Sequence, residues 1–154
     1  MGSESYAGMV YEHLLLTRYA LQDTAPFGRT AALDRSATVL IARLEAQGPM
    51  SVGELADAFG LDISTVHRQV AAAMKAGLIE RIQDHNKGGA ARQHRPTEEG
   101  SRRLAEELAA RQGALREATS DWSKQDLEAY VRLTRRLNQG IEQLRDRPWP
   151  RAGE

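Results

Sequence analysis

Cysteine is absent from the chain. Its absence removes disulfides, thiolate nucleophiles, cysteine metal ligands and thiol redox sensing together, and it fits the reducing cytoplasm expected as the protein's location. Long hydrophobic runs are missing too. No stretch approaches the roughly 20 apolar residues of a membrane span. The start, Met1 to Tyr6, has no cationic cluster followed by an apolar segment, so neither a signal peptide nor a membrane partner is expected. Aromatics are 5% of residues, so the core must rest on Leu, Val, Ile and Ala within a 41% hydrophobic total. Charge of one sign is lacking as well, since 21 Lys and Arg balance 21 Asp and Glu. A neutral total still permits nucleic-acid binding, because DNA contact needs only a local basic face. Residues 62–95 supply that bias, with Arg68, Lys75, Arg81, Lys87, Arg92 and Arg95 against Asp62, Glu80 and Asp84.

Catalytic patterns are also missing. The four histidines and many carboxylates form no spaced metal triad, nucleophile elbow or phosphate loop. No enzyme activity, catalytic residue, cofactor or metal site is therefore expected. His85 and His94, which flank a loop, give a weak alternative reading as a metal sensor.

What is present is mostly helical periodicity. Apolar residues recur at helical spacing from Tyr6 to about Gln22, and Pro26 and Gly28 break that helix. A second helix is expected from about Leu33 to Ala46, ended by Gly48-Pro49. Ser51-Val-Gly-Glu54 reads as a capping box opening a short third helix that stops near Gly60. A fourth runs from about Ile63 to Ala76, closed by Gly77. Leu78 to Asp84 reads as a strand, His85 to Ala91 as a loop, and Arg92 to Pro96 as a short return strand, together a β-hairpin. Thr97 opens a helix to about Glu117. Ser123 and Asp126 cap a last helix to about Arg145, and the segment after it is expected to be loose.

Val52 to Val70 has the residue sizes of a helix-turn-helix. Leu55 and Phe59 supply the buried side of its first helix, Ala56 is small where the second helix crosses, Gly60 makes the turn and Leu61 plugs the corner. Val66, Val70 and Met74 face inward from the second helix. Ser64, Thr65, His67, Arg68 and Gln69 then lie toward its outer side, where their donors and acceptors suit phosphates and base edges in a major groove. Arg68 is the expected guanine or phosphate contact. The hairpin would be the wing, with Lys87 and Arg92 at the minor groove, joined by His85 as a weaker candidate. The competing reading of each is a solvated face, and a winged helix used only for protein interaction is the alternative function.

In the last helix Leu127, Tyr130, Thr134, Leu137, Ile141 and Leu144 are spaced 3, 4, 3, 4, 3, a heptad seam. Leu104, Leu108 and Leu115 share one face of the helix before it. A small lobe cannot bury all these faces, so a homodimer is expected. The fold class is mainly α with a small β-hairpin wing. Residues 31–97 form the winged helix-turn-helix DNA-binding lobe, 1–30 and 98–147 a helical dimerisation region, and 148–154 a loose tail.

The order of these parts resembles the MarR family of multiple-antibiotic-resistance-type regulators over about residues 10–145. The stretches that carry the likeness are Ser51-Val-Gly-Glu-Leu-Ala-Asp-Ala-Phe-Gly60, Ser64-Thr-Val-His-Arg68, Gly77-Leu-Ile-Glu-Arg81 and Thr97-Glu-Glu-Gly100. The resemblance implies a transcriptional regulator, working as a triangular homodimer that reads a palindromic operator in double-stranded DNA. It also implies a repressor released by a small lipophilic or phenolic effector held between the dimer helices and the DNA lobe. Tyr11, His13 and Tyr19 are candidates for meeting such a ligand, with packing as the competing role. The likeness departs at the wing tip. The family commonly has an Asp followed closely by Arg, and here His85-Asn-Lys-Gly-Gly-Ala-Ala-Arg92 stands instead.

Overall fold

The computed structural model describes residues 2–21, 24–25, 29–30, 33–83 and 92–151. Six helices are seen among them: α1 (Gly2–Leu21), α2 (Arg35–Gln47), α3 (Val52–Phe59), α4 (Ile63–Lys75), α5 (Glu98–Ala118) and α6 (Lys124–Arg145). Between α1 and α2, β1 (Thr24–Ala25) and β2 (Arg29–Thr30) make a minimal antiparallel pair where the sequence reads as loop. A three-stranded antiparallel sheet joins β3 (Met50–Ser51), β5 (Arg92–Pro96) and β4 (Ile79–Gln83), with β5 in the middle.

Local chemistry sets the helix ends. Ser51 Oγ accepts from the Glu54 amide at 3.2 Å, and the Ser51 amide donates to Glu54 Oε2 at 2.7 Å, completing the capping box of α3. Gly60 then takes a left-handed conformation (φ +63°), which lets the chain turn sharply into α4, and Gly77 does the same after α4 (φ +71°). Thr97 Oγ1 donates to the Gly77 carbonyl and accepts from the Gly100 amide, so one hydroxyl ties the end of the helix-turn-helix to the start of α5.

The core is made by α2, α3, α4 and the sheet. Leu40, Ile41 and Leu44 of α2 meet Leu55 of α3, Val66 and Val70 of α4, and Met50, Ile79 and Leu104. α5 joins this core through Leu104 and packs on α2. α1 and α6 contribute little to it. No residue of α6 is buried, and Tyr6, Val10, Tyr11 and Leu14 of α1 are all exposed.

Two expectations are corrected, for Leu61 and for the tail, and one strand appears where no element was expected. Leu61 does not plug the corner: it is 45% exposed, while Leu55, Ala56 and Val66 fill the core on either side of the turn. Met50–Ser51, with no periodicity of its own, becomes a strand by pairing with His94 and Gln93. The tail is held in place from Arg147 to Arg151. Asp146 adopts a left-handed conformation (φ +51°) and reverses the chain. Arg147 Nε then donates to the Asp57 carbonyl at 2.8 Å, Arg43 Nη1 donates to the Pro148 carbonyl at 3.0 Å, and Arg151 pairs with Glu142.

Candidate nucleic-acid interface

Successive residues of a helix advance by about 100°. In α4, Val66, Val70 and Ala73 are buried and fix the inward direction, while Met74 is only partly buried. The opposite direction is occupied by Ser64 and Arg68, both exposed. Thr65 and Gln69 lie on one flank and His67 on the other. Arg68 Nη2 donates to Thr65 Oγ1 at 3.3 Å, one turn earlier, which leans the guanidinium toward the N-terminal half of the helix. The five polar residues expected on the outer side therefore spread over a central strip and two flanks.

The sheet brings more cations to the His67 flank. Arg81 pairs with His94 across β4 and β5, and Arg92 lies two residues before His94, so all three share one face of the sheet. A cavity of about 530 Å³ separates this face from α4, and it is bordered by His67, Arg81, Arg92 and His94 together with Val70 and Met74. Arg92 is exposed, at the first position of β5. Arg81 was not singled out as a contact by sequence reasoning. Its signal is the cross-strand register, which requires knowing that β5 starts at Arg92. Arg95, on the other face, has its charge engaged by Glu80 at 2.8 Å.

His94 is only 3% exposed, and its Nδ1 has no hydrogen-bond partner among the described residues. Burial pushes its pKa below the ordinary value of 6.5, a hydrogen bond with the Met50 backbone opposes that, and the nearby Arg81 and His67 add to the lowering. A neutral imidazole is therefore favoured at this point of the wing. No group of three or more potential metal ligands is found among the described residues.

Lys87, His85 and the side chain of Tyr19 lie outside the described residues. Tyr11 and His13 are exposed on α1, and His13 Nδ1 donates to the Met9 carbonyl at 2.8 Å, within its own helix. The structure thus brings neither of them to the 530 Å³ cavity. No described helix is long and apolar enough to cross a membrane.

Comparison with known proteins agrees with this geometry. Residues 32–97, the helix-turn-helix and wing, match the family model described as HVO_A0114. The chain is 33% identical over 131 residues to YxaD of Bacillus subtilis (strain 168), described as an uncharacterized HTH-type transcriptional regulator; the match spans 85% of this chain and 91% of that protein. Among solved structures, a MarR family protein from Bacillus stearothermophilus superposes with a TM-score of 0.71 at 22% identity, covering 92% of this chain and 98% of its own. The PcaV transcriptional regulator from Streptomyces coelicolor, solved with its natural ligand, gives 0.61 at 20% identity over 92% of this chain and 98% of its own. The chain belongs to the HTH-type transcriptional regulators, and it has the fold of MarR family proteins.

Proposed function

We propose that the chain acts as a homodimer whose two winged lobes read a palindromic operator and repress transcription until a small molecule releases the DNA. The observation that carries DNA reading is the division of α4: Val66 and Val70 are buried while Ser64 and Arg68 project away from the protein. In this reading α4 enters the major groove, Arg68 meets a guanine edge or a phosphate, and Ser64, Thr65, His67 and Gln69 supply the surrounding contacts. The wing contributes Arg92 and Lys87, now joined by Arg81, toward the flanking backbone and minor groove.

Dimerisation is supported by apolar surface the monomer leaves uncovered. Leu127, Tyr130, Ile141 and Leu144 remain exposed along α6, and Leu108 and Leu115 along α5. Isolated exposed apolar residues are ordinary, but a continuous stripe marks an interface. The 1–30 and 98–147 segments then form the dimerisation region, and 31–97 the DNA lobe. The ligand-bound structure of PcaV supports effector control. The protein works as a cytoplasmic regulator with no catalytic role.

The test is binding to DNA from upstream of its own gene. Arg68→Ala lowers affinity by about 1–3 kcal/mol, read by gel shift. Unchanged affinity removes Arg68 from recognition. Salt-insensitive or absent binding favours the protein-interaction alternative.

A further inference from the structure

The chain after α6 grips the corner between α3 and α4. Asp146, which caps α6, is the one residue other than glycine with a left-handed backbone among the described residues. Such a conformation is costly and persists where surrounding contacts hold it. Arg147 supplies the first of those contacts, its Nε donating to the Asp57 carbonyl at 2.8 Å. Asp57 lies in the last turn of α3, where a cation meets the negative end of the helix. The same guanidinium lies over Gly60. A Cβ on Gly60 would meet Arg147 Cζ at 3.0 Å and Nε at 3.1 Å. Gly60 therefore serves twice, as the turn between α3 and α4 and as the floor of a seat for Arg147.

Trp149 adds a second grip. Its ring stacks on Phe59 of α3 with centroids 6.1 Å apart, and the Arg43 guanidinium of α2 lies over it at 4.9 Å. Arg43 is buried, and its Nη1 donates to the Pro148 carbonyl at 3.0 Å. A buried guanidinium needs such partners, so Arg43 favours the docked tail. The tail is also fixed to its own helix. Glu142 Oε2 of α6 accepts from the Trp149 amide at 3.2 Å and from Arg151 Nη1 at 3.1 Å. The segment is thus bound on one side to α6 and on the other to α2, α3 and the corner. The body of α6 offers the lobe no comparable hold, since none of its residues is buried and none belongs to the core.

We propose that Arg147 and Trp149 are positioning residues for DNA reading, clasping the α3–α4 corner to the end of α6 and so fixing the half-site spacing that the dimer accepts. They act through the corner and not on DNA. The inference rests on the operator-reading dimer proposed above, because α6 carries the dimer seam and α4 the base contacts. A lobe clasped at both α5 and the tail presents α4 in one direction, and two such lobes match one spacing along the duplex. A lobe held through α5 alone swings and accepts several spacings. The bases preferred within each half-site are set by Ser64 and Arg68, so they stay the same when the clasp is opened.

The test compares the full chain with Arg147→Ala/Trp149→Ala in two arms. The first uses no DNA. The chain lacks cysteine, so Lys75→Cys on α4 and Arg136→Cys on α6, both exposed, take spin labels selectively. Labelled chains are mixed with an excess of unlabelled chain, so that pulsed electron resonance reads distances within one chain. A single narrow distance is expected for the parent and a broadened distribution for the double variant. The second arm is a gel shift on the palindrome the parent selects, with its half-sites moved apart by one or two base pairs. The parent is expected to lose about tenfold in affinity, the scale of one lost base contact. The double variant is expected to bind the shifted and unshifted sites about equally, and Trp149→Phe, which keeps a stacking ring, to restore the discrimination. A merely structural role would weaken all sites alike and keep the spacing preference. If the double variant does not fold, Arg147→Gln is read by the same two arms against the same outcomes. The proposal is overturned if the variant keeps the parent's narrow distance or its spacing preference. A parent that selects no palindrome contradicts the operator reading and overturns the spacing consequence with it, while the distance arm separately decides whether the clasp holds the lobe.

Discussion

The carbonyl oxygen of Leu78 lies 2.0 Å from where a Cβ on Gly100 would sit. Leu78 leads into the wing and Gly100 is in the first turn of α5, so this contact sets how closely the DNA lobe approaches the helix leading to the dimer region. The same carbonyl accepts the Thr97 amide at 3.0 Å, which leaves the backbone little freedom to move aside.

Gly100→Ala is therefore expected to destabilise the fold by about 2–3 kcal/mol, the scale of overpacking, despite the helix propensity it gains. Gly113→Ala in the same helix is the control, because nothing lies within 4 Å of its added Cβ. That variant should be neutral or more stable by up to about 1 kcal/mol. Denaturant midpoints of the two variants measure the difference.

His94 makes stability depend on pH in a defined window. Its pKa is lowered in the folded chain, so the unfolded chain binds its proton more readily. The stabilisation is complete above the ordinary value of 6.5 and is lost as pH falls below it toward the lowered folded value. Arg81 and His67, the charged or titratable groups lowering it, oppose a protonated ring further. Urea midpoints should fall between about pH 6.5 and 5, above the range where carboxylates titrate. His94→Gln should flatten that slope.

The α6 seam predicts the oligomeric state. Light scattering should give twice the 17.0 kDa chain mass for the parent. Leu127→Glu combined with Leu137→Glu should give the single-chain mass with helix content retained, because neither side chain belongs to the core. A dimer that survives both substitutions would place the interface elsewhere.

The helix-turn-helix was legible in the sequence because its determinants are local. Ser51 and Glu54 are three residues apart, Gly60 and Gly77 report their own backbone angles, and Val66 and Val70 keep helical period. The end of β5 at Pro96 was also legible, since Thr97 caps the next helix directly. What escaped depends on contacts far apart in the chain. Met50–Ser51 is a strand only because His94 and Gln93 pair with it. Pro148 and Pro150 make the tail look loose, yet Trp149 is placed by Phe59 and Arg43, 90 and 106 residues earlier in the chain. The site divided likewise. Ser64 and Arg68 followed from helical geometry, whereas Arg81 required the strand register and the Arg147 seat over Gly60 required the docked tail.

Selection of binding sequences from a random double-stranded DNA library tests the central claim most directly. The account predicts enrichment of one palindromic motif whose half-site centres lie about 10–10.5 base pairs apart, one turn of DNA, by the parent protein, with weaker and less selective recovery by Arg68→Ala. A recovered pool that remains random in sequence, or an enriched motif read equally well by Arg68→Ala, would contradict it.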